Sequence, residues 1–208
     1  MSGADTLVGT LLAGGVNICF SNPGTSEIHI VAALDHAPEM RCVLGLFESV
    51  VAGAADGYAR MAEKPACTLL YLGPGLANGL ANLHNAYRAR VPVINIVGQH
   101  ATFHLHHDTP LTSDIEGIGR PYSKWLRTSS SASKVGRDAA EAIVGSRTSP
   151  GQIATLIVPA KVRQSTHRCP FLRRPCLQPK QSSVRPSCCA LACLRRCCSR
   201  EMPCMAAD

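Results

Sequence analysis

The sequence predicts an α/β fold: a doubly wound, mostly parallel sheet covered by helices on both faces. Three observations carry that expectation. Short β-rich runs alternate with helical patterns from residue 4 to about residue 160, which implies parallel strands joined by right-handed crossovers. The run VPVINIVG is apolar and β-branched almost throughout, as a strand covered on both faces must be. Several of the runs end in Gly- and Pro-containing turns that lead into helices.

Residues 4 to 14 place Leu7, Leu11 and Leu12 at helical spacing, and Gly14 and Gly15 close the segment. VNICF is the first strand; SNPGTSE turns the chain, and Thr25 or Ser26 is expected to cap the helix through IHIVAAL. RCVLGLF is the second strand. The helix after it places Val50, Val51, Ala54, Ala55, Tyr58, Met61 and Ala62 on one face, expected to pack on the sheet. ACTLLYL is the third strand, GPGLANG a glycine-rich turn, and a helix is expected from about Ala77 to Arg88. VPVINIVG is the fourth strand. Residues 98 to 121 show no clear element and hold His100, His104, His106 and His107, a long segment of the kind that is usually functional or mobile. A helix from about Ser131 to Gly145 and the strand QIATLIVPA complete the pattern.

Composition splits the 208 residues in two. Overall, 46% hydrophobic and 17% charged content is ordinary for a globular protein. Up to residue 164 there are 13 Lys and Arg against 12 Asp and Glu, with cysteines only at 19, 42 and 67. Beyond it there are eight basic residues against two acidic ones, and eight of the eleven cysteines. The net charge of +7 therefore describes the end of the chain. We expect one domain over residues 1–162 and a Cys/Arg-rich tail over 163–208 whose composition suits disorder. No apolar run reaches the roughly 18 residues of a membrane helix, and Asp5 sits where a secretory signal would carry positive charge. The expectation is a cytoplasmic protein without membrane association. Only Phe171 interleaves with the tail's arginines, so no specific nucleic-acid binding is expected. The tail has no CxxC pair, and the histidine segment lacks a diagnostic partner spacing beyond Asp108, so no metal site is expected.

Glu48 is the residue that raises the functional question. It follows a strand and opens a helix, at the edge of an α/β sheet where ligands bind. Alone, an acid in a first helical turn complements the helix dipole, worth roughly 0.3 to 1 kcal/mol. NPGT at 22–25, LGPG at 72–75 and VGQH at 97–100 fall on the same edge, however, so four turns converge on one crevice. Glycine there lets a planar ligand approach the backbone, and Pro23 and Pro74 hold the turns in shape. Neither glycine turn has the GxGxxG or GxxxxGKS spacing of a phosphate cradle.

CFSNPGTSEI, GLFESVVAGAADGYAR, LGPGLANGLANLHNAYRARVPVINIVGQH and PLTSDIEGIGRP resemble the N-terminal pyrimidine-binding domain of thiamine diphosphate-dependent enzymes. The nearest group is the acetolactate synthase, benzoylformate decarboxylase and oxalyl-CoA decarboxylase type, and the likeness runs over roughly residues 4 to 160. The resemblance implies that Glu48 hydrogen-bonds N1′ of the aminopyrimidine and so promotes removal of the thiazolium C2 proton. That role asks for a buried carboxylate whose affinity for a proton is raised. It further implies a cofactor-binding set of Pro23, Gly24, Thr25, Glu48, Gly73, Gly75 and Asn78, with Tyr71, Gln99 and His100 lining the pocket. Tyr71 stands where close relatives often carry histidine, and a phenol with a reference pKa near 10 moves protons poorly at neutral pH.

In the same resemblance, the cofactor's diphosphate is bound through Mg²⁺ by a separate domain with a GDG motif, and sites form between two subunits. No GDG occurs in the 208 residues. The expected partner is accordingly a second copy or a chain carrying the diphosphate domain, and the chain alone is expected to be inactive, a truncated or frameshifted product. Two alternatives stand beside it: the small subunit of a split 2-oxo acid decarboxylase, and a noncatalytic dimerising protein.

Overall fold

In the computed structural model, which describes residues 2–164, six parallel strands form one sheet in the order β2-β1-β3-β4-β6-β5. The strands are β1 Ile18–Asn22, β2 Arg41–Leu44, β3 Ala66–Leu70, β4 Val93–Gln99, β5 Trp125–Thr128 and β6 Ile153–Pro159. The helices are α1 Gly3–Ala13, α2 Ile28–Asp35, α3 Glu48–Ala62, α4 Leu72–Arg88, α5 Ile115–Gly119, α6 Val135–Arg147 and α7 Ala160–Gln164. Both faces are covered. One apolar cluster joins the sheet to α1, α2 and α6 through Leu7, Leu11, Ile30 and Ile143. The other joins it to α3, α4 and α5 through Val51, Leu76, Leu83 and Ile115. Every residue of β3, β4 and β6 is buried, which is why those segments read as continuous apolar runs.

One buried polar row crosses the central strands on the α3/α4 face. Thr68, Asn95 and Thr155 are register partners on β3, β4 and β6. Thr68 Oγ1 donates to Asn95 Oδ1 at 2.8 Å, and Asn95 Nδ2 donates to Thr155 Oγ1 at 3.2 Å. Each group satisfies the next inside an apolar layer, where an unpaired one would be costly.

Six sequence expectations are corrected. The GPGLANG segment is not a turn but the start of α4, which begins at Leu72. Pro74 is tolerated because a third helical residue has no intrahelical acceptor for an N–H to lose. The α3 face is likewise different. Val51, Ala52, Ala55 and Ala59 point inward, while Val50 and Met61 are 61% and 87% exposed. The helix before α2 is a 3-10 turn, Thr25–Glu27, and neither Thr25 nor Ser26 caps it. The segment 98–121 contains α5 and two short 3-10 turns. β5 is a strand that the sequence pattern does not predict, because a four-residue, half-buried strand paired on one side only gives no apolar run. The helix expected over 131–145 runs instead from Val135 to Arg147. The tail beyond residue 164 lies outside the described residues.

Candidate active site

The strand order reverses at β1, whose neighbours are β2 on one side and β3 on the other. A crevice opens at such a switch point, beyond the carboxyl ends of the strands. The chain leaves β1 through Pro23 and Gly24, leaves β3 through Tyr71 into α4, and leaves β2 through Gly45 to Phe47 into α3. The turns singled out in the sequence thus meet here for a topological reason.

Glu48 is the first residue of α3, and it is only 3% exposed. Asn78, the seventh residue of α4, donates from Nδ2 to Glu48 Oε2 at 3.1 Å. The Tyr71 phenol sits near Glu48; burial first, and then the carboxylate's negative charge, push the phenol above its ordinary pKa. Two further bonds clasp the helices beside this contact. Ser49 Oγ donates to the Asn78 carbonyl at 2.9 Å, and Asn82 Nδ2 donates to the Ser49 carbonyl at 2.6 Å. The carboxylate is therefore held by two helices at once.

Glycines set the shape around Tyr71. A Cβ at Gly24 would lie 3.2 Å from Tyr71 Cβ, and one at Gly75 would lie 3.0 Å from its ring. A Cβ at Gly73 would lie 2.2 Å from Ser113 Cβ, so the segment leading into α5 passes directly over the start of α4. Leu72, between Tyr71 and Gly73, has φ +45°. A left-handed leucine costs roughly 1–3 kcal/mol, and it is retained where it swings the chain from strand into helix with Tyr71 facing Glu48.

Of the other expected site residues, Thr25 is exposed and Pro23 half-buried at the end of β1. Gln99 ends β4 and accepts from the His100 backbone N–H at 2.8 Å. The His100 ring Nε2 lies 3.2 Å from the Pro110 carbonyl, so it braces the segment after β4. The His106 and His107 rings face each other at 3.7 Å between centroids. No group of three or more metal-ligating side chains is arranged for an ion among the described residues.

Sequence reasoning missed Glu27. It is fully buried, accepts the Gly24 N–H at 3.0 Å on Oε2, and accepts the Ser26 hydroxyl at 2.6 Å on Oε1. It braces the turn beside Tyr71. The available signal was its place three residues after Gly24, the spacing at which a carboxylate reaches back to a helix-start N–H.

The fold and a buried carboxylate at this crevice define a cofactor-binding α/β domain, and the comparisons give its family. The profile of the family described as thiamine pyrophosphate enzyme, N-terminal TPP binding domain, matches residues 1–118, and the chain belongs to that family, whose cofactor is thiamine diphosphate. A Mycobacterium tuberculosis protein, IlvX, which carries the name of an acetolactate synthase large subunit, is 60% identical over 162 residues, covering 78% of this chain and 31% of that protein. Benzoylformate decarboxylase of Pseudomonas aeruginosa is 30% identical over 146 residues, covering 70% of this chain and 27% of its own length. The solved thiamine diphosphate-dependent 4-hydroxybenzoylformate decarboxylase of Rhodococcus jostii RHA1 superposes with a TM-score of 0.75 at 23% identity, over 79% of this chain and 31% of that one. The chain spans about a third of the length of these relatives.

The residues present fit the pyrimidine end of the family's cofactor. A water-shielded carboxylate, oriented by an amide at the switch-point crevice, matches a flat heteroaromatic ring that offers a basic nitrogen.

Proposed function

We propose that this chain is the pyrimidine-binding half of a thiamine diphosphate-dependent 2-oxo acid decarboxylase or carboligase, similar to acetolactate synthase. The observation that carries the reading is the buried Glu48 carboxylate, held by Asn78 at the switch-point crevice. When bound, thiamine diphosphate supplies an electron sink for the carbanion left as a bond to carbon is broken. Glu48 would share a proton with the ring nitrogen at its carboxylate, Asn78 fixes the carboxylate's orientation, and Gly24, Gly73 and Gly75 let Tyr71 and Ser113 pack closely enough to shape the pocket wall. Tyr71 shields Glu48 from water and holds its own proton there. Pro23, Thr25, Gln99 and His100 belong to the wall of the same pocket in this reading.

The diphosphate end and its Mg²⁺ would be held by a domain or chain with the GDG motif, which the 208 residues do not contain. The partner is a second copy of this chain or a chain bearing that domain, and activity requires it. Support comes from the apolar residues left in solvent next to Glu48: Leu46 is 92% exposed, and Phe47 and Val50 lie beside it, also exposed. The same surface favours, as the second reading, a noncatalytic protein that only associates. Among the described residues no helix is long and apolar enough to cross a membrane. The cytoplasm is the compartment we propose, since Cys19, Cys42 and Cys67 are all free thiols. We place the domain at residues 1–162 and the tail at 163–208; limited proteolysis that cuts first near residue 163 would support this, and early cutting inside 1–162 would refute it.

The decisive experiment mixes the chain with a diphosphate-binding domain and follows C2 proton exchange of the cofactor by NMR. Exchange should rise on mixing, and Glu48→Gln should lower it at least about 100-fold while the circular dichroism spectrum stays unchanged. Unchanged exchange in the variant would remove Glu48 from the chemistry.

A further inference from the structure

Away from the crevice, on the face covered by α1 and α2, three thiols stand side by side. Cys42 on β2, Cys19 on β1 and Cys67 on β3 are register partners across adjacent parallel strands. Their side chains therefore project to one face at one level of the sheet. The Cys19 thiol donates to the Phe20 carbonyl at 3.9 Å and the Cys67 thiol to the Thr68 carbonyl at 3.5 Å, while Ser21 Oγ lies 3.3 Å from Cys42 Sγ. Burial separates the three: Cys19 and Cys67 are buried, whereas Cys42 is exposed on the edge strand.

From this geometry we propose that Cys42 and Cys19 are a redox pair that closes into a disulfide across β2 and β1, with Cys42 as the solvent-facing thiol that reacts first. Directly opposed residues on neighbouring strands sit about 4.8 Å apart, inside the roughly 4.4–6.8 Å Cα range a disulfide spans. Cys42 rather than Cys67 is the partner because β2 is a four-residue strand bonded on one side only, so it can shift toward β1. β3 is buried and paired on both sides, and it cannot shift.

The oxidant is a small-molecule disulfide such as oxidised glutathione. The Cys42 sulfur, giving up its proton, attacks one sulfur of the reagent; the reagent's S–S bond breaks, and one thiol leaves. The Cys19 sulfur then attacks the Cys42 sulfur, the mixed disulfide breaks, and a second thiol leaves with the Cys19 proton. Two protein thiols are oxidised, and one disulfide is reduced to two thiols. Contact with Cys19 and then burial push the Cys42 thiol far above its ordinary pKa, so the pair stays protonated at neutral pH and reacts slowly. It differs in this from a fast peroxide sensor.

The closed bond would tie together the two strands that lead to the crevice. β1 continues from Cys19 to Pro23 and Gly24, and β2 continues from Cys42 to Glu48. The proposal does not depend on what the crevice binds.

The row's three cysteines fall on three tryptic peptides, 1–41, 42–60 and 61–88, because the Lys64–Pro65 bond resists trypsin. The experiment takes the full chain with the eight cysteines from residue 169 onward changed to serine. It is exposed to oxidised glutathione without denaturant, blocked with N-ethylmaleimide and digested. The expected product is peptide 1–41 linked to 42–60, with two blocked thiols lost. Cys42→Ser, at an exposed position, should abolish the link. Cys19→Ser should leave glutathione on Cys42, and Cys67→Ser should leave the link in place. A link from 1–41 to 61–88, a lasting glutathione adduct on Cys42 with Cys19 present, or three unreacted thiols would each overturn the proposal.

Discussion

Glu48 and Tyr71 have to be read as a pair. A carboxylate at the first position of a helix has a modest dipole argument behind it, but here it is sealed from water, bonded to an amide and set near a phenol. The negative charge raises the phenol's pKa after burial has done so. Glu48→Gln should therefore lower it towards the ordinary tyrosine value. Ultraviolet titration of phenolate absorbance, with Tyr71→Phe subtracted to isolate one of four tyrosines, measures the shift. The sign for stability follows from linkage: a folded-state pKa above the unfolded value near 10 makes a contribution that is complete below pH 10 and is lost as pH rises through the folded value. Wild type should lose more stability than Tyr71→Phe over that alkaline window, as denaturant midpoints at pH 9 and above would show. Equal losses would mean that the phenol does not hold its proton against Glu48.

At the scale of elements, the start of α4 shows where glycine is required and where it is not. A Cβ at Gly73 would overlap Ser113, whereas one at Gly57, on the outer side of α3, would meet nothing within 4 Å. Gly57→Ala should stabilise the protein by about 0.5–1 kcal/mol through the helix-propensity difference. Gly73→Ala should instead push the segment around Ser113 off α4, seen as faster amide exchange at residues 109–114, and Ser113→Gly should partly restore protection. If both alanine variants behaved alike, the close approach at Gly73 would be refuted. The outward Val50 and Met61 on α3 belong to the same scale, since helical spacing reports which residues share a face and not which neighbour that face meets.

Across the whole molecule, the sheet is held in register by the buried Thr68–Asn95–Thr155 row as well as by apolar packing. Asn95→Ala would leave the buried Thr68 hydroxyl without its partner, take one of two partners from the Thr155 hydroxyl, which keeps Ser123, and open a small cavity. The expected cost is about 2–4 kcal/mol, read as a lower urea midpoint. A loss below about 0.5 kcal/mol would mean that water or rearrangement satisfies those groups. Asn95 sits inside VPVINIVG, and its partners lie 27 and 60 residues away in the sequence.

Much of this was legible in the sequence because it depends on local spacing. Alternating β-rich and helical segments predict a parallel, helix-covered sheet, and the GLFESVVAGAADGYAR and LGPGLANG segments carry the family likeness together with Glu48 and Asn78, with Tyr71 as a departure from it. The tertiary structure alone decided what meets across the chain: Asn78 on the Glu48 carboxylate with Tyr71 near it, Ser113 over Gly73, and Glu27 beneath Gly24. It also set Cys42 and Cys67 on either side of Cys19. Strand order and register create those contacts, and both are settled by packing between segments far apart in the chain, which no local periodicity encodes.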